Sequence, residues 1–120
     1  MKFYQDKVDG SILFLFTPPE KVSESYVEVS PCTVDASVEK HLPVAAVEGS
    51  KICVEVGSVA HPMSDAHYLQ WIVLETDNGF QTVRLSPADL PKAEFIVADN
   101  VKPISAFAYC NLHGLWKTDL

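Results

Sequence analysis

The sequence lacks the features that define several large classes of protein. It has only three cysteines, an odd number, which argues against a secreted framework of paired disulfides. No apolar run reaches the about 20 residues that a membrane-spanning helix requires. The run from Ile12 to Phe16 is also too short for a signal peptide. We therefore expect a protein of the reducing cytoplasm that makes no contact with a membrane.

Basic residues are scarce as well. Nine lysines and arginines stand against sixteen aspartates and glutamates, which leaves a net charge of −7. Binding to nucleic acid or to anionic lipids needs a cluster of basic side chains, so both are excluded as partners. The 120 residues predict one domain, or one domain with a small appendage.

Helical periodicity is missing, and the apolar residues alternate as they do in β-strands. In the segment KICVEV, the side chains of Ile52, Val54 and Val56 share one face. Residues 93–99 and 103–110 read as further strands. Several short strands separated by proline and glycine predict an all-β fold, an antiparallel sandwich or barrel.

Turn signals separate these strands. The pair Asn78-Gly79 predicts a hairpin between HYLQWIVLET and FQTVRL. The segments GSILFLF and SYVEVS predict a second hairpin, split by a Pro-Pro turn. A serine cap followed by Pro87 predicts a short helix or turn over residues 86–90. The polar segment 31–40 predicts a linker between a small N-terminal unit and the main sandwich.

The chain has only four histidines, and together with one cysteine they form a candidate metal site. The histidines are His41, His61, His67 and His113, and Cys110 precedes the last of them by three residues. Four imidazoles and one thiolate exceed the four ligands of a closed tetrahedral zinc site. A mixed set of five favours iron, with a sixth position open for binding or reduction of a small molecule.

Three segments contain all of these residues: EKHLPV (39–44), VGSVAHPMSDAHYLQWI (56–72) and YCNLHGLWK (109–117). They closely resemble the metal-binding domain of the superoxide reductases, the desulfoferrodoxin and neelaredoxin family. The resemblance covers residues 38–120. It implies an immunoglobulin-like antiparallel β-sandwich that reduces superoxide to hydrogen peroxide with one electron and two protons.

The resemblance also implies the cofactor, a mononuclear non-haem iron that alternates between Fe2+ and Fe3+. In that family, four histidines lie in a plane around the iron and one cysteine lies on the axis. Carried onto this sequence, the equatorial ligands are His41, His61, His67 and His113, and the axial ligand is Cys110. An external electron donor such as rubredoxin would restore the ferrous state.

Glu39 and Lys40 match the Glu-Lys pair that precedes the first histidine of the family. The resemblance implies that Glu39 binds the oxidised iron and that Lys40 attracts superoxide and helps to deliver protons. A chain of net charge −7 repels superoxide, so a local cation beside the open position supplies the steering that the reaction needs.

The N-terminal part also resembles the family, but most of the cysteines of its iron site are missing. Two-centre members begin with a small desulforedoxin-like unit whose iron is held by four cysteines. Here Asp6 and Asp9 stand where the first cysteine pair would be, and Cys32 is the single cysteine at the second. We therefore expect residues 1–36 to be a metal-free desulforedoxin-like remnant and residues 37–120 to be the iron-binding sandwich.

Several alternatives remain open. The chain could be a non-catalytic β-sandwich that binds zinc, or an electron-transfer protein. The resemblance implies a homodimer, for which the apolar segment ILFLF (12–16) offers a surface. Trp116 fits a wall of the metal pocket and a core position equally well. Cys32 is either an evolutionary leftover or a residue that pairs across a dimer, and Cys53 is expected to be a partly exposed bystander thiol.

Overall fold

The structure, a computed structural model, describes residues 1–17, 19–33 and 38–120. For Val38 and Glu39 it describes the backbone alone. The predicted Pro-Pro turn includes Pro18 and therefore lies partly outside the described residues.

The described chain divides into two compact units, Met1–Ser30 and Pro31–Leu120. The boundary predicted after residue 36 falls in the segment 34–37, which is outside the described residues. The division into a remnant and an iron-binding domain therefore stays a prediction.

In its described part, the N-terminal unit is a three-stranded antiparallel sheet. It contains β1 (Phe3–Asp6), β2 (Ile12–Phe14) and β3 (Tyr26–Val29), with β1 in the middle. The predicted hairpin between the second and third of these segments is wrong, because each pairs with β1 and not with the other. The buried side chains of Phe3 and Tyr4 favour the central position for β1.

In its described part, the C-terminal unit has seven strands. They are β4 (Pro43–Glu48), β5 (Lys51–Val56), β6 (Leu69–Thr76), β7 (Gly79–Arg84), β8 (Lys92–Ile96), β9 (Pro103–Cys110) and β10 (Gly114–Asp119). One sheet has the order β10-β9-β6-β7, and the other has the order β4-β5-β8. All pairs are antiparallel. The prediction of an all-β, immunoglobulin-like sandwich together with a small N-terminal β unit is confirmed.

The two sheets share one hydrophobic core. In β5 the predicted alternation is confirmed, because Ile52, Val54 and Val56 are buried while Lys51 and Glu55 are exposed. Residues of β6, β8 and β9 complete the same cluster. Removal of this apolar surface from water, at about 25 cal/mol per Å², is the main force that holds the sheets together.

Two predicted turns are present. The hairpin at Asn78-Gly79 is confirmed, because β6 and β7 pair in register on either side of it. The segment 86–90 forms a turn, in which the amide of Asp89 donates to the carbonyl of Ser86. The Asp89 carboxylate in return accepts hydrogen bonds from the amide and the hydroxyl of Ser86.

Two strands, β4 and β10, lie where the sequence pattern predicts none. Both are at the edge of their sheets. Edge strands bury less surface, so the alternation of apolar and polar residues is weaker there. In β4, for example, Val44 and Val47 are 48% and 56% exposed.

Helical structure within the described ranges is limited to α1 (Val38–His41), a single turn that precedes β4. No helix in these ranges is long and apolar enough to cross a bilayer. The turn matters because its last residue, His41, is one of the candidate ligands.

Substitutions can distinguish the buried face of the β4-β5-β8 sheet from its exposed face. Ile52 is completely buried, whereas Ile96 in the paired strand β8 is 64% exposed. We expect Ile52→Ala to lower the free energy of unfolding by about 2–5 kcal/mol, because it leaves a cavity in the core. The matched control Ile96→Ala should change it by less than about 0.5 kcal/mol. Urea unfolding measures both, and equal losses would contradict this assignment of the faces.

Candidate metal centre

Three chain segments at one end of the sandwich carry the candidate ligands. His41 precedes β4, His61 and His67 lie between β5 and β6, and Cys110 ends β9 just before His113. The start of β4 pairs with the end of β5, and the end of β9 lies between the starts of β6 and β10. Antiparallel pairing therefore brings all three segments to the same edge of the fold.

The candidate ligand atoms lie close together. Those of His41, His61, His67 and Cys110 are all within 4.8 Å of one another. Nδ1 of His113 is 2.9 Å from Nε2 of His41 and 3.8 Å from Sγ of Cys110. The structure thus brings the five predicted residues together, and their binding of a metal stays a prediction.

Two of the imidazoles carry a buried nitrogen that has no hydrogen-bond partner among the described residues, Nε2 of His61 and Nε2 of His67. An unpartnered buried polar atom costs about 1–3 kcal/mol, so such atoms point to a missing ligand. In His61, Nδ1 donates to the carbonyl of Pro62 at 2.7 Å, which leaves Nε2 as the nitrogen with a free lone pair. Imidazoles with one thiolate fit iron and related transition metals.

Burial differs across the cluster. Cys110 is completely buried and belongs to the hydrophobic core, and His41 and His61 are each only 2% exposed. His67 is half-buried, and His113 is exposed. Cys110 therefore lies on the buried side of the cluster, and His67 and His113 lie on its more exposed side.

Trp116 contacts two of the candidate ligands. Its ring stacks on the imidazole of His41, with the centroids 4.7 Å apart and the planes 17° from parallel. Its indole Nε1 donates to the carbonyl of His113 at 3.2 Å. Trp116 is also 1% exposed, so it serves both as pocket wall and as core. The backbone of Cys32 forms a bridge to Trp116 along the edge of β10, which gives that cysteine a structural place.

Lys40 is exposed in α1, directly before His41. Burial is the main cause that lowers the pKa of His67, and the charges of His113, His41 and Lys40 lower it further. The Lys40 ammonium therefore lies near enough to act on the cluster. The side chain of Glu39 is outside the described residues, so its role as a ligand stays a prediction.

His61 is held in its neutral form. Burial lowers its pKa from 6.5 to about 4, and the neighbouring His41, His67 and His113 add to the shift. The hydrogen bond to Pro62 opposes it. At pH 7 the free lone pair of His61 is therefore available without the loss of a proton.

Two residues that hold the backbone around His67, Ser64 and Asn111, were not predicted to belong to the site. Both form hydrogen bonds with the backbone on either side of that histidine. The one signal in the sequence is the position of Asn111 between two candidate ligands in CNLH, since asparagine side chains readily bond to nearby backbone.

Fold and cluster together define a β-sandwich protein with imidazoles and one thiol gathered at one end. The chain matches the family model Desulfoferrodoxin over residues 33–119, and it belongs to the desulfoferrodoxin family. The resemblance read from the three sequence segments is thereby confirmed.

Individual relatives agree with this. The desulfoferrodoxin homolog of Archaeoglobus fulgidus is 50% identical over 86 residues, which cover 72% of this chain and 67% of the relative. The crystal structure of the superoxide reductase from Treponema pallidum is 34% identical, with a TM-score of 0.79 and 98% of each chain covered. The superoxide reductase (1Fe-SOR) from Giardia intestinalis is 31% identical, with a TM-score of 0.59, covering 68% of this chain and 97% of that one.

The low pKa of His61 predicts how the metal-free protein responds to acid. Because the folded pKa is depressed, the stability that this group contributes is complete above pH 6.5 and is lost as pH falls toward about 4. Nitrogen-detected NMR of the imidazole should show no protonation of His61 above about pH 5. The urea concentration at the unfolding midpoint should fall as the pH drops from 6.5 toward about 4. A His61 that titrates near pH 6.5 would contradict the prediction.

Proposed function

We propose that this chain is a superoxide reductase with a mononuclear non-haem iron. The proposed ligands are His41, His61, His67, Cys110 and His113. The observation that carries the proposal is their convergence, with two buried imidazole nitrogens lacking a partner among the described residues. The reaction takes up one superoxide, one electron and two protons and releases one hydrogen peroxide.

An iron ion held by these residues would supply the electron through its Fe2+/Fe3+ couple. The protein residues set the conditions for that transfer. Cys110, buried in the core, would donate electron density to the iron as a thiolate, as thiolates do in haem enzymes. The neutral imidazole of His61 offers its Nε2 at physiological pH. The exposed side that His67 and His113 line admits a small anion.

Lys40 attracts that anion. The net charge of −7 repels superoxide from most of the surface, so a cation beside the entrance raises the local concentration of the substrate. The same ammonium is a source of a proton for the product. Glu39, the preceding residue in the matching Glu-Lys pair, is proposed as a ligand of the oxidised iron.

The proposal includes an external one-electron donor such as rubredoxin. With three cysteines in the whole chain, a second iron site of four thiolates cannot form. Residues 1–36 are accordingly proposed to be a metal-free desulforedoxin-like remnant, and residues 37–120 the iron-binding domain. The three cysteines are unpaired, which suits a reducing cytoplasm.

A homodimer is also part of the proposal. Phe16, at the end of the ILFLF segment, is 82% exposed and stacks edge-on against Phe14. These residues line an apolar groove of about 250 Å³ in the N-terminal unit. Exposed apolar surface of this kind is typical of a contact with another protein chain.

The thiolate ligand has a spectroscopic test. We expect the oxidised, iron-loaded protein to show a thiolate-to-iron charge-transfer band in the red, because Cys110 donates into the ferric ion. Cys110→Ser should abolish the band, and the matched control Cys53→Ser should retain it. A colourless iron-loaded protein contradicts the proposal, and stoichiometric zinc with no superoxide consumption favours the zinc-binding alternative.

The role of Lys40 has a kinetic test. We expect Lys40→Ala to slow the reaction with superoxide by about 10-fold or more and to weaken its dependence on ionic strength, because the attraction is electrostatic. The control Lys102→Ala removes an exposed lysine at the opposite end of the sandwich and should leave the rate unchanged. Pulse radiolysis at several salt concentrations measures both variants. An unaltered rate for Lys40→Ala removes this residue from the mechanism.

A further inference from the structure

We propose that Asn111 is a positioning residue that holds His67 in place as a metal ligand. This inference rests on the proposed function, because it concerns the same site. It assigns a role to a side chain that is not itself one of the five ligands.

His67 needs such support more than His41, His61 or Cys110 does. It lies in the loop between β5 and β6, where its neighbours Ser64, Asp65 and Ala66 are all exposed. His41 and His61 are buried, and Cys110 is part of the core. A ligand on an exposed loop is less well oriented than one on a packed strand unless other contacts hold its backbone.

Asn111 makes three hydrogen bonds to the residues on either side of His67. Its Oδ1 accepts from the amide of Tyr68 at 2.9 Å, and its Nδ2 donates to the carbonyl of Ala66 at 3.0 Å. Its own amide donates to the carbonyl of Tyr68 at 3.2 Å. The side chain therefore bonds to the backbone on both sides of His67.

Ser64 occupies the backbone groups that remain. The amide of Ser64 donates to the carbonyl of His67 at 2.9 Å, and the amide of His67 donates to the carbonyl of Ser64 at 3.1 Å. The two peptide groups that flank His67 thus have all four polar atoms bonded, two by Ser64 and two by the Asn111 side chain. This arrangement fixes the backbone from which the imidazole projects.

The identity of the residue matters. Bonding an amide on one side and a carbonyl on the other requires an acceptor and a donor at the end of a short side chain, which asparagine provides. Asn111 also follows Cys110 directly and precedes His113 by two residues. It therefore ties the turn after β9, next to Cys110 and His113, to the loop that carries His61 and His67.

The test measures metal affinity without relying on activity. Co2+ and Zn2+ are titrated into the metal-free full chain of the wild type and of Asn111→Ala, with a competing chelator. Loss of a residue that orients a ligand typically weakens metal binding by about 10–100-fold, and we expect a loss in this range. Ser64→Ala removes the two 3.3 Å hydrogen bonds of the Ser64 hydroxyl to the amide and the carbonyl of His67 but keeps the two backbone bonds, so it should lose less affinity than Asn111→Ala. The control Asn100→Ala, an exposed asparagine in the turn before β9, should bind as the wild type does.

A second readout separates positioning from general stability. In the metal-free Asn111→Ala protein, the amide of Tyr68 should exchange with solvent at least about 10-fold faster, because its acceptor is gone, while the amide of Ile72 in β6 keeps its protection. The core variant Ile52→Val, which weakens the fold without touching the cluster, should keep its affinity for Co2+. An affinity for Asn111→Ala within twofold of the wild type, or a loss that Ile52→Val reproduces, would overturn the inference.

The outcomes also distinguish this inference from the proposed function. If the iron-loaded wild type consumes no superoxide but Asn111→Ala still loses affinity for Co2+, the proposed reaction fails and the positioning role stands. If the wild type is active and the variant binds metal normally, the positioning role alone fails. A wild type that binds neither Co2+ nor Zn2+ overturns both.

Discussion

The cost of burying imidazole nitrogens without hydrogen-bond partners is the constraint on which the functional end of this protein depends. Nε2 of His61 and Nε2 of His67 are both buried and have no hydrogen-bond partner among the described residues. The same burial lowers the pKa of both histidines. The protein offsets this cost with a sandwich whose core is closely packed and with hydrogen bonds that hold the loops. A metal ion at the cluster would supply the partner that these nitrogens lack, so that binding and stability are coupled.

Much of the sandwich could be predicted from the sequence, because its central strands obey simple rules. The alternation in Lys51–Val56 follows from one buried and one exposed face, and Asn78-Gly79 marks a hairpin through its turn preference alone. The edge strands β4 and β10 were not predicted, since a strand at the edge of a sheet buries less surface and shows a weaker alternation of apolar and polar residues. The pairing in the N-terminal sheet was predicted wrongly. The two apolar segments are adjacent in sequence, and nothing in them indicates that β1 lies between them in the sheet.

The candidate ligands could be predicted because histidine is rare in this chain, and the family resemblance then supplied their roles. The residues that support the ligands could not be predicted in the same way. The stacking of Trp116 on His41 and the bonds of Asn111 around His67 depend on the pairing of distant strands. Such contacts involve ordinary residue types, and only the folded geometry distinguishes them from core and turn residues. Glu39 remains a prediction, since its side chain is outside the described residues.

The separation of the ligands along the chain has a consequence for the order of events during folding. His41 and His113 are 72 residues apart in sequence, yet their nitrogens are 2.9 Å apart. Closing so long a loop carries an entropic cost that the pairing of the strands between the two residues offsets, so the complete set of ligands is expected only in the folded sandwich. Metal occupancy is thus a measure of the folded population. Damage to the core far from the cluster lowers it in proportion to the fraction of chains that unfold.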